Sequence, residues 1–311
     1  MNIMGNISDQ KEKKLKEIAA EIRESIIESL LEAKSGHTAG SLGLTDIFTY
    51  LYFAGQNQNL CNLGEDAMIE GNGLRHSPKN PDWQKRDMFV LSNGHVCPGL
   101  YATLAHADYF PVSELKTLRK LGTRLQGHPH RTELPGIETS SGPLGSGLSQ
   151  ALGMGLAIRL NEGRHANRFV FCVVGDGELQ EGQNWEAIMM AAKEKLHNLI
   201  LIVDRNNIQI DGYTEDVMPL ADLKKKFESF NWHVQEIDGH NFQMIDDAIG
   251  HGRAIFDKPS VIIANTIPGK GVGDFERIPE WHGKAPNQQE ADGALKSLRT
   301  LNGKIDCAQL D

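Results

Sequence analysis

The sequence predicts a three-layer α/β fold built on a mostly parallel sheet. Apolar runs such as "RFVFCVV", "LILIVD" and "SVIIAN" lack the alternation of half-exposed strands, so each is expected to be covered on both faces. From residue 148 onward such runs take turns with amphipathic segments across short connections, which is the pattern of right-handed crossovers with helices on both sides of a sheet. A chain of 311 residues, 40% apolar and 23% charged, can bury the core this fold requires.

In chain order, residues 9–34 place Leu15, Ile18, Ala19, Ile22, Ile26 and Leu30 at helical spacing, with Ser8 or Asp9 as N-cap. The glycines of "SGHTAGSLG" (35–43) break that helix, and "LTDIFTYLYF" (44–53) starts an apolar one. Residues 55–83 are polar and rich in Gly, Asn and Pro, a surface excursion. "DMFVLSNGH" (87–95) reads as a buried strand ending in a tight turn; a helix and a Gly/Pro/Ser-rich segment (125–147) follow. Helices at 148–161, 183–196, 221–230 and 241–256 then precede strands at 168–174, 199–204, 232–237 and 260–266 respectively. The domain is expected to span 1–284, with 285–311 as a tail or linker remnant containing a short helical pattern.

A net charge of −9 argues against a nucleic-acid partner, while leaving room for a local basic pocket. No apolar run approaches the ~20 residues of a membrane helix, and the N-terminus lacks a secretory apolar segment. Cys61, Cys97, Cys172 and Cys307 lack C-x-x-C spacing, which disfavours zinc and a disulfide framework. A cytoplasmic chain with no membrane contact is the resulting expectation.

In open parallel sheets ligands gather beyond the carboxyl ends of the strands. Asp176 follows "FVFCVV" and Asn206 follows "LILIVD", with a single helical crossover between them. Each alone reads as an ordinary turn residue; together, in this frame, they offer a hard oxygen site suited to Mg²⁺ or Ca²⁺. Gly175 and Gly177 let the backbone turn sharply and approach a phosphate closely. The rival dinucleotide fingerprint at Gly145-x-Gly147 lacks its third glycine and a leading strand, and "IPGKGVGD" (267–274) lacks the spacing of a P-loop.

The segments "SGH" (35–37), "LSNGH" (91–95), "GHP" (127–129), "GPLGSG" (142–147), "GDGELQEGQNWEA" (175–187), "DRNNIQIDG" (204–212) and "WHGKAP" (281–286) occur in the order in which they stand in transketolases. The chain resembles the N-terminal, diphosphate-binding part of that thiamine-diphosphate family. The resemblance implies a metal, Mg²⁺ or Ca²⁺, held by Asp176, Asn206 and the carbonyl of Ile208. It implies thiamine diphosphate contacted by His95, His282 and Gly177 at the diphosphate and by Gly142, Pro143 and Leu144 at the rings. His37 and His128 match histidines that hydrogen-bond the sugars, and Glu181 a carboxylate coupling active sites across a subunit interface. Trp281 and Lys284 are taken only to shape the His282 loop, and His106, His165 and His251 as ordinary histidines.

Complete transketolases continue with a pyrimidine-binding and a C-terminal domain, and no segment here resembles either. The expectation is therefore the N-terminal subunit of a split transketolase, inactive without a partner bearing the pyrimidine-binding domain, in an α₂β₂ heterotetramer. It would transfer a two-carbon ketol unit between sugars or sugar phosphates, by default in pentose-phosphate metabolism or else in a specialised route for unusual or sulfonated sugars. Two alternatives are a subunit of another thiamine enzyme, such as a 2-oxo-acid dehydrogenase or deoxyxylulose-phosphate synthase, and a non-catalytic module on this fold. The sequence departs from many relatives in Thr38-Ala39-Gly40 after His37 and in an apparent insertion at 56–73.

Overall fold

The computed structural model describes residues 7–55 and 72–301. Helix α1 (Asp9–Ala33) is capped by Ser8, whose side chain accepts from Lys11 N, and ends at Lys34 in the left-handed conformation. The expected break does not stay open. Residues 39–43 form a short helix, α2 (Ala39–Gly43), before α3 (Thr45–Phe53). Its glycines permit close packing: a Cβ on Gly40 would lie 2.7 Å from Val96 Cγ1, and one on Gly43 3.1 Å from the Ile267 carbonyl oxygen. Of the 56–73 insertion, residues 56–71 lie outside the described residues.

Strand β1 (Met88–Leu91) leads through a 3₁₀ turn into α4 (Cys97–His106). Then come α5 (Ser146–Glu162), β2 (Val170–Gly175), α6 (Gly182–Lys193) and β3 (Leu199–Arg205). A small hairpin, β4 (Ile208–Gln209) and β5 (Gly212–Tyr213), and a single-turn helix α7 (Thr214–Val217) were not foreseen from the sequence. The remainder is α8 (Leu223–Ser229), β6 (His233–Asp238), α9 (Phe242–Ala254), β7 (Ser260–Asn265) and α10 (Gln288–Leu301).

The main sheet has the order β1-β2-β3-β7-β6, with every pairing parallel. Successive strand residues face opposite layers. Phe171, Val173, Ile200, Ile202, Ile262 and Ala264 pack with α1, α3, α4 and α9. Val170, Cys172, Val174, Leu199, Leu201, Val203, Val261 and Ile263 pack with α5, α6 and α8. The three-layer fold follows from this double burial, since each apolar strand removes both its faces from water. Strand β6, at the edge, keeps several half-buried positions.

Residues 288–301, within the segment read as a tail, form α10, which buries Ala291, Ala294 and Leu298 against the α1 layer and pairs Arg299 with Glu24. At the amino edge of the sheet, the fully buried Asp87 carboxylate accepts from Arg75, Arg253 and the Phe169 amide, tying the starts of β1 and β2 to α9. Among the described residues no helix is long and apolar enough to cross a membrane.

Candidate functional site

Parallel pairing aligns Gly175 of β2 with Asp204 of β3, so Asp176 and Asn206 both emerge at the carboxyl edge of adjacent strands. The chain after β3 wraps around Asp176. Its Oδ2 accepts from Asn207 N (2.7 Å) and Arg205 Nη1 (3.1 Å), and its Oδ1 from Gly177 N (2.8 Å) and Thr214 Oγ1 (3.3 Å). The Asn206 carboxamide is fixed at both ends: Nδ2 donates to Asp204 Oδ2, and Oδ1 accepts from Ile208 N. Burial pushes the Asp176 carboxyl up despite Arg205 and the Asn207 amide. Burial also raises Asp204, with the neighbouring Asp176 charge adding to it, to about 7.

These residues fit a divalent cation. A carboxylate whose burial is incompletely offset and a carboxamide oxygen are hard oxygen donors of the kind such a cation takes. A Cβ on Gly177 would stand 3.1 Å from Gln209 Oε1, so only a bare backbone passes there; that buried oxygen has no hydrogen-bond partner among the described residues and, as an acceptor, suits a donor or a cation. The arrangement does oppose an Arg205 contact to the metal reading, because a cation on Asp176 Oδ2 would have to displace or share it.

The "GPLGSG" turn lies beside this edge, held by a residue that the motif reading passed over. Glu178 is buried; its Oε1 accepts from Ser92 Oγ (2.5 Å) and Gly145 N (2.7 Å), and its Oε2 from Gly175 N (3.1 Å). Gly147 N in turn donates to Ser92 Oγ at 3.1 Å. One carboxylate thus joins β1, β2 and the start of α5. Gly145 needs its glycine, with φ +87° and Glu181 Cβ 2.8 Å from where a Cβ would be. Little marks Glu178 in the sequence, because two of its three partners, Ser92 and Gly145, come from remote segments. Gly142 is half-buried, while Pro143 and Leu144 are exposed at the rim.

Four histidines converge from four separate segments. His37 follows α1, His95 lies in the turn after β1, His128 in the 125–147 loop and His282 after the 3₁₀ turn Pro279–Trp281. Ring centroids lie 4.8 Å apart for His37–His95, 5.1 Å for His95–His282 and 5.6 Å for His37–His282. His128 Cδ2 would be 3.3 Å from a Cβ on Gly94. Nδ1 of His37 and of His282 are buried without a hydrogen-bond partner among the described residues, so both rings retain unused polar capacity.

Burial, then the neighbouring imidazoles and Arg119, lowers His37 to about 4; burial alone lowers His282 to about 4. His95 is driven well below the usual value by burial and by His37, His282 and His128, and His128 is lowered by burial and Arg119. The rings are therefore neutral near pH 7 and able to donate to, or accept from, a hydroxyl. The Arg119 guanidinium, which the motif reading also missed, lies over Gly127: a Cβ there would be 3.1 Å from its Cζ. The hairpin joins the two halves of the site, for Ile210 Cδ1 would lie 2.6 Å from a Cβ on Gly283, next to His282.

Glu181 is exposed and caps α6 without a side-chain hydrogen bond. Its Cβ lies against Gly145, next to the exposed Leu144, and it begins the helix that exposes Met189 and Met190. Trp281 stacks on Phe275 at 3.6 Å with Lys284 over its ring, which supports the loop that carries His282.

An open parallel sheet with oxygen donors and neutral histidines at its carboxyl edge defines an α/β enzyme domain of the kind that binds a phosphorylated cofactor. The chain belongs to the transketolase family: the profile described as "Transketolase, thiamine diphosphate binding domain" matches residues 14–302. It is 40% identical over 255 residues to the 6-deoxy-6-sulfo-D-fructose transketolase subunit SqwG of Clostridium sp., covering 82% of this chain and 85% of that protein. It is 35% identical over 291 residues to an apulose-4-phosphate transketolase subunit of Actinobacillus succinogenes, covering 94% and 96% respectively. The crystal structure of transketolase from Campylobacter jejuni superposes with a TM-score of 0.80 at 32% identity, over 93% of this chain and 42% of that one. The chain thus spans about two-fifths of full-length transketolases and nearly the whole of relatives named as subunits.

Proposed function

We propose that this chain is the diphosphate-binding subunit of a two-chain transketolase that moves a two-carbon ketol unit from a ketose to an aldose. The observation carrying this reading is the convergence of His37, His95, His128 and His282 beside the strand ends that bear Asp176 and Asn206. Relatives of matching length named as subunits support a separate partner chain, which in this reading brings the pyrimidine-binding domain and assembles with this one as α₂β₂. The exposed Leu144, Met189 and Met190 near Glu181 provide apolar surface for such an assembly.

In this reading Asp176, the Asn206 oxygen and the Ile208 carbonyl hold Mg²⁺ (or Ca²⁺), and the Gly177 backbone lies against the diphosphate with His95 and His282 nearby. Bound thiamine diphosphate supplies the carbon nucleophile that carries the two-carbon unit. This chain's residues bind, orient and exclude water. Gly142, Pro143 and Leu144 line the rings of the cofactor. His37 and His128, neutral at physiological pH, donate to or accept from substrate hydroxyls and can exchange a proton at an imidazole nitrogen. Sugars with an anionic terminus, as in the names of the two subunit relatives, fit the Arg119 cation at the rim. The free, buried Cys97 and Cys172 suit a cytoplasmic setting.

Calorimetric titration with thiamine diphosphate and Mg²⁺, or Ca²⁺, tests the site, with and without a partner carrying the pyrimidine-binding domain. Ketol transfer should require both chains, and Asp176→Ala should abolish cofactor binding while leaving the chain folded. Transfer by the single chain would refute the two-chain proposal, and unchanged cofactor affinity in Asp176→Ala would refute the metal assignment.

A further inference from the structure

His240 stands outside every segment that identified the site, in the turn between β6 and α9, yet both its ring nitrogens are committed. Nδ1 lies 2.7 Å from Asp46 Oδ2 of α3, and Nε2 accepts from the Ile267 backbone amide at 2.7 Å. A backbone amide can only donate, so Nε2 must carry the lone pair and Nδ1 the proton. The ring is a neutral bridge of one fixed tautomer, buried to 9% side-chain exposure. Beyond it, Asp46 Oδ2 also accepts from Arg23 Nη2 of α1 at 2.7 Å, and Arg23 Nε donates to the Leu42 carbonyl of α2. Burial opposes the Asp46 charge, but Arg23 and His240 hold its carboxyl down to about 2.

The two ends of this relay are the two segments that present His37 and His282. At one end, Arg23 grips α2, which begins two residues after His37. At the other, Ile267 opens the 267–286 loop that ends in the His282 turn. The segments also meet directly: Gly269 N donates to Ala39 O at 2.9 Å, and Thr38 Oγ1 donates to Lys284 O at 2.5 Å. The loop rests on the same arginine, since a Cβ on Gly271 would be 3.6 Å from Arg23 Cδ and 2.8 Å from Leu298 Cδ2 of α10. A buried ion pair is often replaceable by apolar packing at no loss of stability, so this pair points to a geometric use more than to a stabilising one.

We propose that His240 is a positioning residue that, through Asp46 and Arg23 on one side and Ile267 on the other, sets the spacing of the His37 and His282 segments for ketol transfer. The catalytic consequence rests on the function proposed above; the mechanical linkage does not. The two arms can be cut separately. An Asn carboxamide reaches about as far as Nδ1, so His240→Asn keeps a donor for Asp46 and loses the acceptor for Ile267. A Gln carboxamide reaches about as far as Nε2, so His240→Gln keeps an acceptor for Ile267 and loses the donor to Asp46.

Both full-length variants, assembled with the partner chain, should be compared with the wild type by steady-state kinetics, by hydrogen exchange of the Ile267 and Gly269 amides, and by thermal unfolding. His240→Asn should lower kcat per folded site by ~10-fold or more with little change in KM, since misplacement of a reacting group by ~1 Å is that costly. Exchange at Ile267 and Gly269 should speed up ~10-fold or more in His240→Asn and stay close to wild type in His240→Gln, whereas kcat should fall in His240→Gln as well, because cutting either arm breaks the link between the two segments. Equal losses of melting temperature in both variants with unchanged kcat per folded site would show a merely structural role and overturn the proposal. Unchanged exchange in His240→Asn would overturn the linkage itself. If the wild-type complex shows no ketol transfer, the functional reading fails, and the exchange experiment still decides whether the relay exists.

Discussion

Acidification from about pH 7 to about pH 5 should destabilise this chain through His37 and His282, which the fold keeps neutral. Each lies at about 4 in the folded protein against 6.5 as its ordinary value. A histidine lowered by folding leaves stability untouched well above 6.5. As the pH falls through 6.5, only the unfolded chain takes up the proton, and the penalty to the fold grows until the pH reaches the folded value near 4. At about pH 5 one such group favours unfolding by ~2 kcal/mol relative to neutral pH. The rings are partly open to solvent, and part of the His37 shift is repulsion from a charged His282, so ~2–3 kcal/mol for the pair is the better expectation. Urea unfolding of the wild type and of a His37→Asn, His282→Asn double variant at both pH values reports this contribution, together with the repulsion that the two rings exert on His95. The wild type should lose ~2–3 kcal/mol more than the variant over this interval. Losses equal within ~0.5 kcal/mol would refute the view that burial keeps these rings neutral.

Other outcomes follow from the same geometry. Gly94→Ala would bring a Cβ to 2.5 Å from Ser141 Cβ and 3.3 Å from Gly142 N; it should cost ~1–3 kcal/mol in thermal unfolding and weaken cofactor affinity by displacing the "GPLG" turn. Glu178→Gln sets an amide NH₂ against one of three donors (Ser92 Oγ, Gly145 N and Gly175 N) and should cost ~1–3 kcal/mol, read by chemical denaturation. Arg119→Gln removes a cation that opposes protonation, so the His128 titration followed by NMR should move upward by ~0.3–1 pH unit, and an unmoved titration would place the guanidinium elsewhere.

The elements most legible in the sequence were those whose signal is local. The apolar runs at β2, β3 and β7 announce strands covered on both faces, and the structure buries alternate residues of each in opposite layers. Ser8 was readable as a cap because its partner, Lys11 N, lies three residues away. The β4–β5 hairpin was not legible, since two-residue strands leave no period to detect. Helix α2 was hidden because its glycines read as a breaker, whereas their use is close packing on Val96 and Ile267.

At the site, the sequence by itself determined which chemistry was available: oxygen donors at two strand ends, and histidines in glycine- or proline-bearing turns. It also determined that the strands would lie in a parallel sheet, because the alternation of apolar run and helix admits little else. Only the tertiary structure decided that Asp176 emerges beside β3, that four histidines from distant turns come within ring contact or close approach, and that Glu178, Arg119 and His240 belong with them. The physical reason is range. Periodicity and turn chemistry act over a few residues, whereas a buried carboxylate or imidazole takes its meaning from whichever donors the packed fold brings near it, and those donors here lie tens to hundreds of positions away along the chain.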